Sequence, residues 1–257
     1  MSYPIFDTHA HYTDQAFDGD RDELISSLPS YGVKRVVIPG CDVESSRQAV
    51  KLAERYPWIY AAAGIHPEEA GKAGEEDLPA IRALLDRPET VAVGEIGLDY
   101  HYGKEEAEKQ KVLFRKQLAL ASETGKKVIV HERDAWADTV AIVKEFPEVK
   151  GVFHCFGGSA DGAKLLIEMG WMISFTGVLT FRNARRPLEA LRAIPLERLM
   201  IEIDAPYMAP EPYRGKRCDS RYLAEVIRKI AGEKGETPEK VAEITYRNAC
   251  LFYGIDP

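Results

Sequence analysis

No apolar run in this 257-residue chain approaches the ~20 residues that a membrane-spanning helix needs. The first residues also lack a basic segment followed by an apolar one, so we expect no secretory signal. The cysteines have no CxxC spacing, which argues against a zinc ribbon or a disulfide framework; they are Cys41, Cys155, Cys218 and Cys250. These absences predict a cytoplasmic protein with neither a membrane partner nor an obligate protein partner.

The chain also lacks a positive net charge. Its 34 Lys and Arg residues are outnumbered by 41 Asp and Glu residues, and the net charge is −7. This excludes a protein that coats nucleic acid with a basic surface, but it allows a nucleic-acid enzyme with local basic loops. Internal repeats, low-complexity segments and linkers are absent as well, so we predict a single domain over residues 1–257.

What the sequence does contain is a regular alternation of two kinds of segment. Short runs rich in Val and Ile, typical of strands buried on both faces, lie at 5–9, 35–39, 58–65, 91–96, 127–131, 151–155, 172–176 and 199–204. Segments with helical periodicity lie at 21–31, 43–56, 75–86, 105–124, 135–146, 160–169, 184–194, 221–232 and 238–252. This alternation predicts an α/β fold, a single (β/α)8 TIM-type barrel. A doubly wound open sheet is less favoured because no G-x-G-x-x-G turn follows the first strand.

Residues that commonly bind metals stand at the ends of the predicted strands. Residues two apart on a strand point to the same face, so the imidazoles of His9 and His11 are expected to share one space. Further candidates at strand ends or within the fourth strand are His66, Glu95, His131, His154 and Asp204. Barrel enzymes build their sites at the carboxyl ends of the strands, so we expect these side chains to converge. Such a ligand set exceeds the need of one tetrahedral zinc and suits two divalent ions that share a carboxylate.

Several local strings carry a family resemblance. In chain order they are Asp7-Thr8-His9-Ala10-His11, Gly64-Ile65-His66-Pro67, Gly94-Glu95-Ile96-Gly97-Leu98-Asp99-Tyr100, His131-Glu132-Arg133-Asp134-Ala135, His154-Cys155-Phe156-Gly157-Gly158 and Asp204-Ala205-Pro206-Tyr207. Along essentially the whole chain this resembles the TatD family of metal-dependent deoxyribonucleases, within the amidohydrolase superfamily. Glu95 stands where many superfamily members place a carboxylated lysine, which agrees with a bridging carboxylate.

The resemblance implies two divalent metal ions, Mg, Mn or Zn, that share Glu95. One ion would be held by His9, His11, Glu95 and Asp204, and the other by Glu95, His131 and His154. Asp204 would also accept the proton of the metal-activated water that attacks phosphorus. Asp204 and Glu95 are therefore the expected catalytic residues.

Three further residues each have two interpretations. His66 is expected to reach a substrate phosphate, or else to end its strand at the Pro67 turn. Asp99 is expected to orient a ligating histidine, or else to cap a helix or turn. Arg133 is expected to contact phosphate, or else to pair with a neighbouring acid such as Asp134.

Two basic loops follow the last two predicted strands, at residues 182–186 and 213–217. On an acidic chain, cations gathered at the catalytic face suit a substrate that carries phosphate. We therefore expect Arg214, Lys216 and Arg217 to bind substrate, although a run of charge is often only a solvated loop.

We predict a metal-dependent phosphodiesterase that hydrolyses DNA at single-stranded or frayed ends, and the resemblance implies a 3′-to-5′ exonuclease. The alternative is an amidohydrolase or lactonase that acts on a small C–N or C–O substrate, since the barrel supports both chemistries. A binding module without turnover is a third reading, against which the retained Asp204 argues. Ile203 and the string Cys218-Asp219-Ser220 depart from the family pattern, and we expect both to lie close to the substrate side.

Overall fold

The computed structural model describes residues 3–257 and contains eight strands within them. The strands are β1 (Ile5–Asp7), β2 (Val33–Pro39), β3 (Ile59–Ala63), β4 (Thr90–Asp99), β5 (Lys127–Arg133), β6 (Gly151–Phe153), β7 (Met172–Phe175) and β8 (Leu199–Ile201). They belong to one sheet in chain order, and the described neighbours pair in parallel. The architecture is a (β/α)8 barrel, which confirms the predicted fold class.

The helices lie where the periodicity predicts them. They are α1 (Arg21–Ser27), α2 (Val43–Arg55), α3 (Asp77–Leu85), α4 (Ala107–Thr124), α5 (Trp136–Lys144), α6 (Ala160–Glu168), α7 (Arg185–Ala193), α8 (Leu223–Lys234) and α9 (Pro238–Tyr253). The first prediction was too long, because Leu28–Tyr31 form a 3-10 turn that ends at Gly32 in a left-handed conformation (φ 88°). Across residues 3–257, no helix combines the length and apolar character needed to cross a bilayer.

Five predicted strands, the first, third, sixth, seventh and eighth, end earlier than expected, and three of them were predicted to include a site residue. β1 stops at Asp7, β6 at Phe153 and β8 at Ile201, so His9, His154 and Asp204 lie just beyond regular strands. After β1 and β8 the chain keeps a less regular set of backbone hydrogen bonds. Thr8 N–H donates to the Ile201 carbonyl, Asp204 N–H to the His9 carbonyl, and His11 N–H to the Ala205 carbonyl, at 3.1, 2.9 and 2.8 Å. The strand conformation assumed for His9 and His11 was therefore wrong, although their imidazoles do share one space, with Nε2 atoms 3.0 Å apart.

Contacts divide the chain into two compact units, one of residues up to Val37 together with Cys155–Pro257, and the other of Ile38–His154. In the first unit, α9 packs on β1, with Tyr246 and Tyr253 ring centroids 6.1 and 5.9 Å from that of Phe6. In the second, α4 packs along β4 and buries Phe114 and Leu118. The single domain over residues 1–257 stays a prediction.

A buried hydrogen-bond network surrounds Asp7 at the end of β1. Asp7 Oδ1 accepts the N–H groups of His9 (3.3 Å) and Ile203 (3.1 Å), and Oδ2 accepts the hydroxyl of Ser220 (2.5 Å). The Tyr12 hydroxyl lies 2.6 Å from the Ser220 hydroxyl. Ile203 and Ser220, which belong to the departures from the family pattern, are fully buried and complete the surroundings of Asp7. That these departures lie close to the substrate side stays a prediction.

Burial raises the pKa of Asp7 to about 8, although hydrogen bonds from Ser220, His9 and Ile203 act in the opposite direction. In the unfolded chain an aspartate titrates near 3.9. Between about pH 4 and 8 the folded protein therefore holds one proton here that the unfolded chain has released. Stability from this proton is complete below pH ~4 and is lost as the pH rises to about 8.

We predict that Asp7→Asn, which mimics the protonated carboxyl, flattens this pH dependence. The wild-type free energy of unfolding should fall by about 1.4 kcal/mol per pH unit relative to the variant between pH 5 and 7. Urea unfolding of both proteins in EDTA at pH 5, 6 and 7 measures the difference. A difference that stays constant over this range would show that Asp7 is ionised in the folded state.

Candidate metal centre

Two imidazoles and one carboxylate meet in the first unit, in the segments that follow β1 and β8. His9 Nε2 lies 3.0 Å from His11 Nε2. Asp204 Oδ1 lies 3.5 Å from His9 Nε2 and 3.4 Å from His11 Nε2. All three residues are buried. We call these three residues the first cluster.

The backbone at Asp204 is held in the left-handed region, with φ 55°. This conformation is costly for a residue other than glycine and persists only where the surroundings enforce it. Here the Asp204 N–H donates to the His9 carbonyl (2.9 Å) and the Asp204 carbonyl accepts the Tyr207 N–H (2.9 Å). The turn after β8 therefore fixes the carboxylate beside the two imidazoles.

The second unit holds its own group of ligand atoms around one oxygen of Glu95. Glu95 Oε1 lies 2.9 Å from His131 Nδ1 and 2.7 Å from His154 Nε2. The two nitrogens are 3.2 Å apart. His66 Nε2 stands slightly further from the same oxygen, at 3.6 Å. Glu95, His131 and His154 form the second cluster.

Asp99 orients one of these imidazoles. Its Oδ2 lies 2.9 Å from His131 Nε2 and, as a carboxylate, accepts the hydrogen on that nitrogen. In a neutral ring the lone pair is then on Nδ1, which faces Glu95. Burial lowers the pKa of His131, but its hydrogen bonds to the carboxylates of Asp99 and Glu95 outweigh that effect and the net pKa shift is upward. Asp99 therefore lies where the orienting interpretation expects it, and it also accepts the His101 N–H in a turn (2.8 Å).

The spacing within both clusters fits divalent metal ions. Donor atoms bound to one ion at about 2.0–2.2 Å lie about 3–3.5 Å apart. The separations within the two clusters range from 2.7 to 3.5 Å. Imidazole nitrogen with carboxylate oxygen is also a donor set that Zn and other first-row divalent ions accept.

Two glycines allow the close approach of strands that places Glu95. A Cβ added at Gly94 meets the Cβ of Ile129 at 2.8 Å, and one added at Gly97 meets the His131 carbonyl oxygen at 2.0 Å. Gly97 also has φ 146°, which a side chain rarely permits. The two glycines of the Gly-Glu-Ile-Gly string are therefore a packing requirement of β4 against β5 on both sides of Glu95.

Helix α4 holds the ends of two strands through a pair of buried glutamines. Gln117 accepts the N–H of Ile65 (2.8 Å) and donates to its carbonyl (2.9 Å), directly before His66. Gln110 makes the same pair of bonds with the backbone of Asp99, both at 2.9 Å. These amides satisfy backbone groups that leave the sheet, and so fix the segments that carry His66 and Asp99. The sequence analysis did not identify them.

The protonation of His66 follows from its neighbours. Its Nδ1 accepts the N–H of Glu68 at 3.2 Å and so begins a short 3-10 turn at Pro67. Because a backbone N–H only donates, the hydrogen of the neutral ring is on Nε2. In this form Nε2 is a hydrogen-bond donor and lacks the lone pair that a metal requires. Both interpretations of His66, as a turn residue and as a donor to phosphate, therefore agree with the same geometry.

Glu202 is a buried carboxylate that the sequence analysis did not treat as a candidate. It accepts the N–H of Cys155 at 2.5 Å and the hydroxyl of Ser174 at 2.7 Å. Cys155 follows His154 in the chain and has a left-handed backbone, with φ 43°. Glu202 therefore stabilises the turn after a proposed metal ligand. The sequence signal that could have identified Glu202 is its position two residues before Asp204, just after β8.

Arg133 and Arg214 each place the guanidinium over an aromatic ring. Arg133 lies 5.4 Å from the Tyr102 ring centroid, while Asp134 pairs with His101 at 2.9 Å. Arg214 lies 3.8 Å from the centroid of Phe181. Within residues 3–257, neither arginine forms an ion pair with a carboxylate.

Arg217 differs from the other basic residues of its loop. Its guanidinium makes two hydrogen bonds to Asp20, at 2.7 and 2.6 Å, and one to the Ala16 carbonyl at 2.8 Å. It also lies 4.7 Å from the Phe17 ring centroid. These contacts attach the loop to the segment before α1.

Several other cations of the two basic loops have no carboxylate partner in the part of the chain that the structure describes. They are Arg182, Arg186, Arg214 and Lys216. By contrast, Arg185 pairs with Glu189 at 2.9 Å and Arg192 with Glu233 at 2.6 Å. Unpaired cations attract anions more strongly than paired ones, because no internal carboxylate neutralises them.

The chain is similar to metal-dependent hydrolases over nearly its whole length. The family model for TatD related DNase matches residues 6–254. A Bacillus subtilis protein named "Uncharacterized metal-dependent hydrolase YabD" is 42% identical over 98% of this chain and 100% of its own length. A Salmonella typhimurium protein named "3'-5' ssDNA/RNA exonuclease TatD" is 33% identical over 98% and 99%.

A solved structure agrees with these sequence relatives. The crystal structure of YJJV, a TatD homolog from Escherichia coli, superposes with a TM-score of 0.93 at 28% identity and covers 98% of both chains. The chain therefore belongs to the TatD related DNase family and is a metal-dependent hydrolase.

Proposed function

We propose that this protein is a two-ion phosphodiesterase that removes nucleotides from the 3′ end of single-stranded DNA. The observation that supports the proposal best is the presence of two clusters, each with two imidazoles and a carboxylate at metal-ligand spacing. The unpaired cations of the basic loops favour a substrate that carries phosphate. The exonuclease name of the Salmonella relative agrees in substrate and direction. The proposal treats residues 1–257 as one catalytic domain.

We assign the metal ligands as the family resemblance implies. His9, His11 and Asp204 would hold one ion, His131 and His154 the other, and Glu95 would bridge them. When bound, the ions would supply Lewis acidity and lower the pKa of a coordinated water. The bridging role agrees with the fold, because barrels direct the carboxyl ends of their strands to one face.

Other residues of the chain act on the proton and on the phosphate. The Asp204 carboxylate would take the proton that the attacking water loses. His66 Nε2–H would donate to a non-bridging phosphate oxygen. Arg214 and Lys216 would hold phosphates further along the strand, while Arg217 keeps the loop in place through Asp20.

The loops around a barrel mouth favour entry of a strand end over the middle of a long strand. The direct test compares linear and covalently closed circular single-stranded DNA of equal length. We expect mononucleotides from the linear strand alone, and no product in EDTA. Equal rates on both forms would exclude an exonuclease. The same assay is repeated with RNA and with a panel of lactones and cyclic amides. Hydrolysis of the lactones or cyclic amides alone would favour the amidohydrolase or lactonase alternative.

We predict that Glu95→Ala loses most of both divalent ions and nearly all activity, because each ion would lack the carboxylate that we assign as shared. Elemental analysis of the purified variant measures ions per chain. Glu189→Ala removes an exposed carboxylate of α7 and should keep the wild-type metal content. Full occupancy and rate in Glu95→Ala would exclude the bridging role.

Asp204→Asn separates the ligand role from the base role. The amide keeps an oxygen donor but cannot accept the proton, so we predict that kcat falls by about 10²–10⁴-fold while metal content falls only in part. Steady-state kinetics and elemental analysis on the same sample give both values. A loss of less than tenfold with both ions in place would assign the proton to another group.

Replacing both Arg214 and Lys216 by Ala should raise KM and weaken the dependence of binding on salt. Each lost phosphate contact on a single strand reduces the slope of log K against log [salt] by about 0.7, so we predict a reduction of about 1.4. The matched control replaces Arg192 and Arg228, which pair with Glu233 and Glu225, and should leave the slope unchanged. An unchanged slope in the variant without Arg214 and Lys216 would show that these two residues are solvated loop cations and do not bind phosphate.

A further inference from the structure

We propose that Tyr102, supported by Arg133, is a stacking platform for one nucleobase of the bound strand. The inference rests on the proposed function, and it adds a base-binding subsite formed by the turn after β4 and the end of β5. The ligand class is a nucleobase within single-stranded nucleic acid, recognised by its flat face.

Tyr102 is the most exposed large hydrophobic side chain among the described residues, at 77%. Its hydroxyl forms no hydrogen bond with any residue between 3 and 257. Tyr207, exposed to 54%, differs because its hydroxyl donates to Asp14 at 3.1 Å. Burial of Tyr102 therefore contributes little to the stability of the fold.

The ring of Tyr102 is nevertheless placed by specific contacts. The Arg133 guanidinium carbon lies 5.4 Å from its centroid, and the His101 ring meets it edge-on at 5.0 Å. His101 is itself held by Asp134 through its ring, at 2.9 Å, and by Asp99 through its N–H, at 2.8 Å. The aromatic face is thus presented to solvent on a fixed turn.

The turn is tied to the second cluster. Asp99 accepts the N–H of His101 with Oδ1 and orients His131 with Oδ2. Asp99 and Arg133 are partners in the pairing of β4 with β5, and Tyr100 N–H donates to the Arg133 carbonyl at 2.9 Å. Arg133 is two residues beyond His131, about 7 Å along the strand. That separation is comparable to the length of one nucleotide.

The chemistry of the pair matches a nucleic-acid strand. The guanidinium of Arg133 has no carboxylate partner in the described chain, so it can hold a phosphate as well as support the ring. Stacking on an aromatic face tolerates every base, because each base has a π-face. Such a contact typically changes affinity by about 5- to 150-fold per base.

The test scans a single abasic nucleotide from the 3′ end of a phosphorothioate-linked DNA oligonucleotide, which resists hydrolysis. Fluorescence anisotropy measures its affinity for the metal-loaded protein. We expect a loss of affinity of about 5- to 150-fold at one position in the wild type, and a flat profile in Tyr102→Leu. Tyr102→Phe keeps the ring and should reproduce the wild-type profile.

Controls separate this inference from the proposed function. Tyr31→Leu changes another exposed tyrosine near an arginine, at 42% exposure and located before β2, and should keep the wild-type profile. A flat scan in the wild type, with phosphodiester DNA still hydrolysed, would overturn the stacking platform alone. Failure of the wild type to bind or cleave single strands would overturn the proposed function together with it. Metal content should be equal in all variants.

Discussion

The carboxylate of Glu95 is the group on which the candidate site depends. It is almost completely buried, and one of its oxygens lies within 2.7–3.6 Å of nitrogens from His66, His131 and His154. A buried carboxylate is costly unless cations or donors surround it. Divalent ions would satisfy that requirement, with the same imidazoles as their proposed ligands. Several contacts of the second unit hold this side chain and its neighbours in position.

Short-range contacts position Glu95 and the residues around it. Gly94 and Gly97 let β4 approach its neighbours, and Gln110 fixes the backbone at Asp99, which in turn orients His131. In the first unit, different contacts position the residues of the first cluster. There the buried Asp7 network and the left-handed turn at Asp204 hold the segments after β1 and β8. The positions of the proposed ligands therefore depend on hydrogen bonds made by residues outside the two clusters.

The sequence predicts the barrel and its strand order because buried parallel strands read as short apolar runs between amphipathic helices. It also identifies the residues of both clusters, since histidines and acids recur at strand ends. It does not predict where β1 and β8 stop, because the chain stays buried after it leaves the regular ladder, over residues 8–11 and 202–205. Nor does it find Gln110 or Glu202, or the pairing of Arg217 with Asp20. Those contacts join residues distant in the chain, which local periodicity does not report.

The central claim is that two ions share Glu95, and electron paramagnetic resonance of the Mn²⁺-loaded protein tests it most directly. Ions bridged by a carboxylate, about 3.5–4 Å apart, interact magnetically. Titration with Mn²⁺ should therefore saturate at two ions per chain and give the spectrum of an exchange-coupled pair. Saturation at one ion, or two ions that show only the uncoupled six-line spectrum, would contradict the account.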